Sequence, residues 1–337
     1  MRLVLFSLIC VASLEAQELR IGILDFYGLR KVPEAQVRKV LGVREGDPLP
    51  PSKGAAEERL DKIKGVYESH LEAVCCEEGR MVLYVGIEEP GAAHFDLRDP
   101  PAAEIQLPME VAEAYAQFLQ ESAAAIHEGI TDEDLTHGYS LSADKATRKI
   151  QETFPALADN NVIRIRNVLR MSADEAQRAA AAYLLGYVTD KQDVINDLQY
   201  ALKDPDDGVR SNATHSLTAL AVLARLDPKS GIRIEPTWFI EMLNSLSWSD
   251  RNRAAKALDI LTESRDRMVL DQLRARSLPA LVEMARWKVL SHALPAFLVL
   301  GRVAGLPEQQ IQDAWSSGDR QSVIAAATGV VKGKNAR

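Results

Sequence analysis

The chain has 337 residues, of which 47% are hydrophobic and 26% charged, and its formal net charge is -8. That length exceeds one typical domain, and the composition excludes a disordered or fibrous chain. The acidic balance argues against a nucleic-acid backbone as the main partner, because that binding needs clustered Lys and Arg; Arg164, Arg166 and Arg170 read as the solvated side of one helix.

In chain order, Arg2, the apolar run over residues 3–12 and the small residues Ser13 and Ala16 form a secretory signal peptide over residues 1–16. The run is too short to span a bilayer of ~30 Å as a helix, and no later segment approaches the ~20 apolar residues that spanning requires. Export to the periplasm or envelope of a bacterium is expected, with peripheral attachment left open and no transmembrane segment after cleavage. Cys10 lacks the small preceding residue of a lipid-modified cysteine. Cys75 and Cys76 are adjacent and alternate in facing on a strand; a strained vicinal disulfide or half a metal site is the less expected use of them.

Residues 17–89 read as a small α/β domain. Residues 19–26 are rich in large apolar residues and stop at Tyr27-Gly28, as a strand and turn do. Pro33-Glu34 opens a short helix with Val37, Val40 and Leu41 on one face, closed by Gly42. A second helix spans about residues 52–67, with Leu60 and Ile63 inward. Residues 69–76 and 81–88 then alternate on either side of Glu77-Glu78-Gly79-Arg80, the pattern of a β-hairpin. Prolines 90, 100 and 101 mark residues 90–107 as a linker. Residues 108–158 form a helical connecting segment, with a helix over 108–127, a second helix start at Thr131 capped toward Asp134, and another helix over 143–158.

From residue 159 to 333 the chain repeats. Arg178, Arg210 and Arg251, each followed by small residues and then by leucines or their equivalents, superpose at offsets of about 32 and 41 residues, and a weaker copy starts at Lys288. Each copy follows another amphipathic helix, so the unit is a helical hairpin that must stack to bury its apolar face. The fold class is α+β: a strand-helix-helix-strand-strand domain plus a C-terminal all-α solenoid.

Two resemblances are carried by specific residues. The strand Ile23-Leu24-Asp25-Phe26-Tyr27-Gly28, the helix end Val37-Arg38-Lys39-Val40-Leu41, the connector Gly46-Asp47-Pro48-Leu49 and the closing Val85-Gly86-Ile87-Glu88-Glu89 resemble a polypeptide-transport-associated (POTRA) domain. That resemblance implies binding of client segments along a sheet edge. Members usually occur in tandem ahead of a membrane β-barrel or anchor; this chain has one copy and no repeated ten-residue alternation, so barrel insertion is not implied. The turn Asp204-Pro205-Asp206-Asp207-Gly208-Val209-Arg210 is similar to the signature of HEAT repeats, which implies an Asp–Arg ladder between units. Arg178, Arg210 and Arg251 would serve it with Asp174, Asp206 or Asp207, and Asp250, with Arg320 near the C-terminal end as a control.

No phosphate loop, nucleophile elbow or metal-ligand spacing occurs among the six histidines. No catalytic, cofactor-binding or metal residue is therefore expected, and the acidic run 131–134 reads as helix capping. The expected function is a non-enzymatic protein-interaction scaffold that binds a protein partner of unknown identity through the repeat surface, the sheet edge of the small domain, or both. Alternatives are an enzymatic or metal-dependent role for residues 89–142, through His94, Asp96, His127 and His137, or a self-associating structural envelope protein.

Overall fold

A computed structural model describes residues 20–77 and 79–329. The expected signal peptide, Cys10, the side chain of Cys76 and the last residues of the expected repeat region lie outside the described residues. The N-terminal domain runs β1 (Ile21–Tyr27), α1 (Glu34–Leu41), α2 (Lys53–Asp61), β2 (Glu68–Glu77) and β3 (Arg80–Glu88). Its sheet has the order β1-β3-β2, with β1 parallel to β3 and β2 antiparallel to it. Ser52 caps α2 by accepting from the Ala55 amide, and α1 ends where Gly42 takes a left-handed conformation. Leu24, Leu83, Val85 and Ile87 pack under Val37, Leu41 and Leu60 of the two helices.

The expected alternation fails in β3, which is buried on both faces from Met81 to Ile87. Its other face, with Val82 and Tyr84 beside Tyr27 of β1, belongs to the core of the helical region. A strand covered on both sides needs no polar face, and this is why Met81-Val82-Leu83-Tyr84-Val85 is an unbroken apolar run.

Glu89, 3% exposed, ties the domain together at its edge. Its carboxylate accepts from the amides of Arg30, Lys31 and Val32 at 2.7 to 3.0 Å. Burial alone would raise the Glu89 carboxyl, but the three amides outweigh it and hold the group below the usual range. With a depressed folded-state value, its contribution is fully present above the unfolded value of about 4.3 and is lost as pH falls through the folded one. Glu89→Gln is expected to cost about 1.5–3 kcal/mol at neutral pH. In denaturant titrations at a series of pH values, the gap between wild type and variant should close only below that range.

The connecting segment begins with α3 (Met109–His127). The helix start expected at Thr131 is instead a two-residue ladder between β4 (Glu133–Asp134) and β5 (Leu141–Ser142). The reason is local: Asp134 accepts from the amide and hydroxyl of Thr136, which turns the chain before a helix forms. The helix expected over 143–158 is broken into α4 (Lys145–Gln151) and α5 (Phe154–Met171).

The helical region pairs α5 with α6 (Glu175–Leu185), α7 (Lys191–Ala201) with α8 (Asp207–Leu226), and α9 (Thr237–Met242) with α10 (Trp248–Leu261). Next, α11 (Arg267–Arg276) and α12 (Leu278–Met284) precede α13 (Leu290–Val303), and α14 (Glu308–Ser316) pairs with α15 (Arg320–Thr328). The second helices α6, α8, α10, α13 and α15 pack in succession as one layer. Their alanines explain the close approach: Ala181, Ala213, Ala254 and Ala293 are fully buried. The result is an α+β domain followed by a stacked all-α repeat region.

Candidate functional site: the turn edge of the repeats

Each second helix of the first three units begins with an arginine in its first turn. Arg178 donates from Nη1 to the carbonyls of Ser172 and Ala173, six and five residues back, and from Nε and Nη2 to both oxygens of Asp204 at 3.0 and 2.9 Å. Arg210 repeats the arrangement on the carbonyls of Asp204 and Pro205 and on Asp250 at 3.0 Å. Arg251 donates to the Ser245 carbonyl at 2.6 Å and to Glu283 at 3.1 Å. Every arginine therefore holds its own inter-helix turn and reaches the acid of the next unit, in the two-pronged geometry that guanidinium suits and ammonium does not for Arg178 and Arg210, and through a single nitrogen for Arg251.

The acids at the other end are Asp204, Asp250 and Glu283. Asp174 and Asp206 cap α6 and α8, accepting from the Ala176 and Gln177 amides and from Val209 respectively, while Asp207 is exposed in the first turn of α8. A capping aspartate already has its oxygens turned toward free amides, which removes it from the arginine's reach. Arg320 does not repeat this arrangement, but it is not idle: it donates to the carbonyls of Ala285 and Trp287 in the turn between α12 and α13.

The N-terminal part of the chain lies along this same edge. Residues 90–107, read as a linker, run extended past the first turns: Ala103 bridges to Ser172, Arg98 donates its amide to the Lys203 carbonyl, and Phe95 and Leu107 are buried. The sheet covers the later turns. Tyr84 stacks on Trp248 at 4.8 Å and bonds His292 Nδ1 at 2.8 Å, and Trp287 packs at 5.4 Å. The Tyr27 hydroxyl donates to the Leu246 carbonyl at 2.7 Å, and Arg251 lies over its ring at 4.6 Å. Asp25 accepts from the Lys288 amide, and the Lys288 ammonium donates to the Leu24 carbonyl. Gly86 permits the contact, since a Cβ there would sit 2.7 Å from both the Leu246 carbonyl and the Tyr27 ring. Burial, then Lys256, holds the His292 imidazole down at about 4, so it is neutral against Tyr84 near pH 7.

Between sheet and repeats a cleft of about 570 Å³ stays open. One wall is β2 with Glu68, His70 and Glu72, the second is His94, Phe95 and Leu97, and the floor is the turn with Asp206, Asp207 and Arg210. Glu72 accepts from the Ser249 amide and the hydroxyls of Ser247 and Ser249, at the N-terminus of α10, where a carboxylate complements the helix dipole. Burial, reinforced by Glu88 and Asp61, raises the Glu68 carboxyl; burial and then Lys53 lower the His70 imidazole. His94 Nδ1 lies 2.8 Å from Glu88. The outer edge of β2 is partly closed: Glu57 accepts the Leu71 amide at 2.7 Å, and Asp61 accepts the Ser69 hydroxyl.

Among the described residues no group of three or more His, Cys, Asp or Glu could hold a metal ion. His94 is beside Asp96, whereas His137 pairs with Asp134 and stacks on Tyr139 in the hairpin region, and His215 meets Glu133. Cys75, exposed on β2, is disulfide-bonded. No helix among the described residues is long and apolar enough to cross a membrane. The sequence could not reveal the cleft, because its walls come from three distant segments; the continuous apolar run of β3 was the one available signal that a second body covers the sheet. No protein-family model matches the chain, and no curated protein matches it.

Proposed function

We propose that the protein is an exported, non-enzymatic scaffold of a bacterial cell envelope that binds a protein partner in the cleft between β2 and the repeat turns. The observation that carries this reading is the cleft itself: it is open, acidic on Glu68 and Asp207, apolar on Leu97, and framed by elements locked in place by buried pairs. Pre-organised walls lower the ordering cost of association, and stacked repeats offer extended surface for partners. The partial closure of the β2 edge by Glu57 favours the cleft over strand addition near Leu71.

A photo-crosslinking amino acid at His94 or Leu97 tests this in intact cells of the native host. A discrete protein adduct from these positions, absent when the same group replaces exposed Met268, is the expected result; no adduct, or equal adducts from all three, sinks the cleft. Export is tested in parallel by N-terminal sequencing, where an intact Met1 in the cytosolic fraction would refute it.

A further inference from the structure

A second open groove, of about 450 Å³, shares no lining residue with the cleft. Its lining joins Arg98 of the extended segment, Arg170 at the end of α5, Gln199, Tyr200 and Lys203 at the end of α7, and Trp238 of α9. The Arg98 guanidinium lies 3.1 Å above the Tyr200 ring, with Arg170 at 4.4 Å from the same ring, and the Lys203 ammonium sits 4.8 Å from the Trp238 ring. Flat aromatic faces thus present three cations to one hollow.

The charges are not balanced from within. Asp197 is held by Arg166 and Arg170, and Asp204 is held by Arg178. Arg98 has neither an ion pair nor a side-chain hydrogen bond among the described residues, and its Nε and Nη1 are shielded from solvent without a partner. Such a group is expensive to bury, and an anionic ligand removes the cost. Consistent with this, burial holds Arg98 down at about 10, with the Asp204 charge acting in the opposite direction. In a chain of net charge -8, an uncompensated cationic hollow is a local reversal of sign, and such reversals steer oppositely charged partners.

We infer that this groove is a recognition site for an acidic peptide segment of a protein partner, with a carboxylate placed between Arg98 and Lys203. The size of the hollow fits two or three residues rather than a lone inorganic ion, and Trp238, 36% exposed, offers an apolar wall for the adjoining side chain. The proposal rests on the repeat surface being protein-binding but not on the cleft beside β2.

The test is fluorescence polarisation of fluorescein-labelled hexaglutamate titrated with the full chain at low salt. Saturable binding is expected, weakened at least tenfold by Arg98→Gln and by Lys203→Gln and unchanged by Arg267→Gln, whose side chain is 95% exposed. Circular dichroism checks each fold, and Lys203→Gln carries the test if Arg98→Gln fails to fold. Absence of saturable binding, binding insensitive to both variants, or displacement by equimolar inorganic phosphate overturns the site. Crosslinks at His94 without hexaglutamate binding would sink this inference alone, whereas binding at Arg98 without crosslinks at His94 would sink only the cleft.

Discussion

Arg210→Ala is expected to lower stability by about 3–5 kcal/mol, because it leaves the Asp250 carboxylate, 3% exposed, without its counter-charge. The loss has two parts. The two-pronged contact with Asp250 disappears, and the carbonyls of Asp204 and Pro205 lose their donor. Ser245 still donates to Asp250, which softens the effect without neutralising the charge. For a helical region of this size, with about 2–4 °C for each kcal/mol, the melting temperature should fall by roughly 10 °C. Arg267→Ala is the proper control: its pairing with Asp271 is fully on the surface, where such pairs matter little. Differential scanning calorimetry reads both. Equal, small shifts would mean that the arginine rows are not structural; lost crosslinking from His94 with unchanged melting would make Arg210 a recognition residue.

The second large effect is expected at Tyr84. Its ring is fully buried between Trp248 and Trp287, and its hydroxyl meets His292. Tyr84→Ala empties the centre of the contact between sheet and repeats, at a cost of about 3–5 kcal/mol. Because this contact couples two layers, wild type should melt in one transition and the variant in two, the N-terminal domain first. Tyr84→Phe keeps the stacking and loses one hydrogen bond, so about 0.5–1.5 kcal/mol and a single transition are expected. A single, unshifted transition in Tyr84→Ala would show that the docked arrangement contributes nothing to cooperativity.

Much of the architecture was legible because it depends on local pattern. The strand-helix-helix-strand-strand order follows from Tyr27-Gly28, Gly42, the Ser52 cap and the turn at Gly79, and the repeat units follow from the recurring arginine ahead of small residues. What could not be read was set by distance in the chain. Tyr84 and Trp287 look like ordinary core residues until the sheet is placed on the turns. Asp206 is far nearer in sequence to Arg210 than Asp250 is, and only the capping geometry of α8 shows why Asp206 is occupied while Asp250 takes the arginine. The 90–107 segment carried the prolines of a linker, but its amides and carbonyls find partners on Met171, Ala173 and Lys203 instead of water. Proline content reports the absence of helix, not the absence of packing.

The two-sided burial of β3 also fixes an order of events during synthesis. The partners of the sheet's second face lie far downstream: the Tyr27 hydroxyl meets a carbonyl 219 positions later, and Asp25 meets an amide 263 positions later. A ribosome delivers the sheet first, so Tyr27, Val82 and Tyr84 stand uncovered while most of the chain is still being made. Contacts of such long sequence separation form slowly, and an apolar strand face left waiting is prone to pair with other nascent chains. The N-terminal domain has its own core of Leu24, Leu83, Val85 and Ile87 under its two helices, so what waits is the docked face, which is covered only after residues 246–292 have emerged.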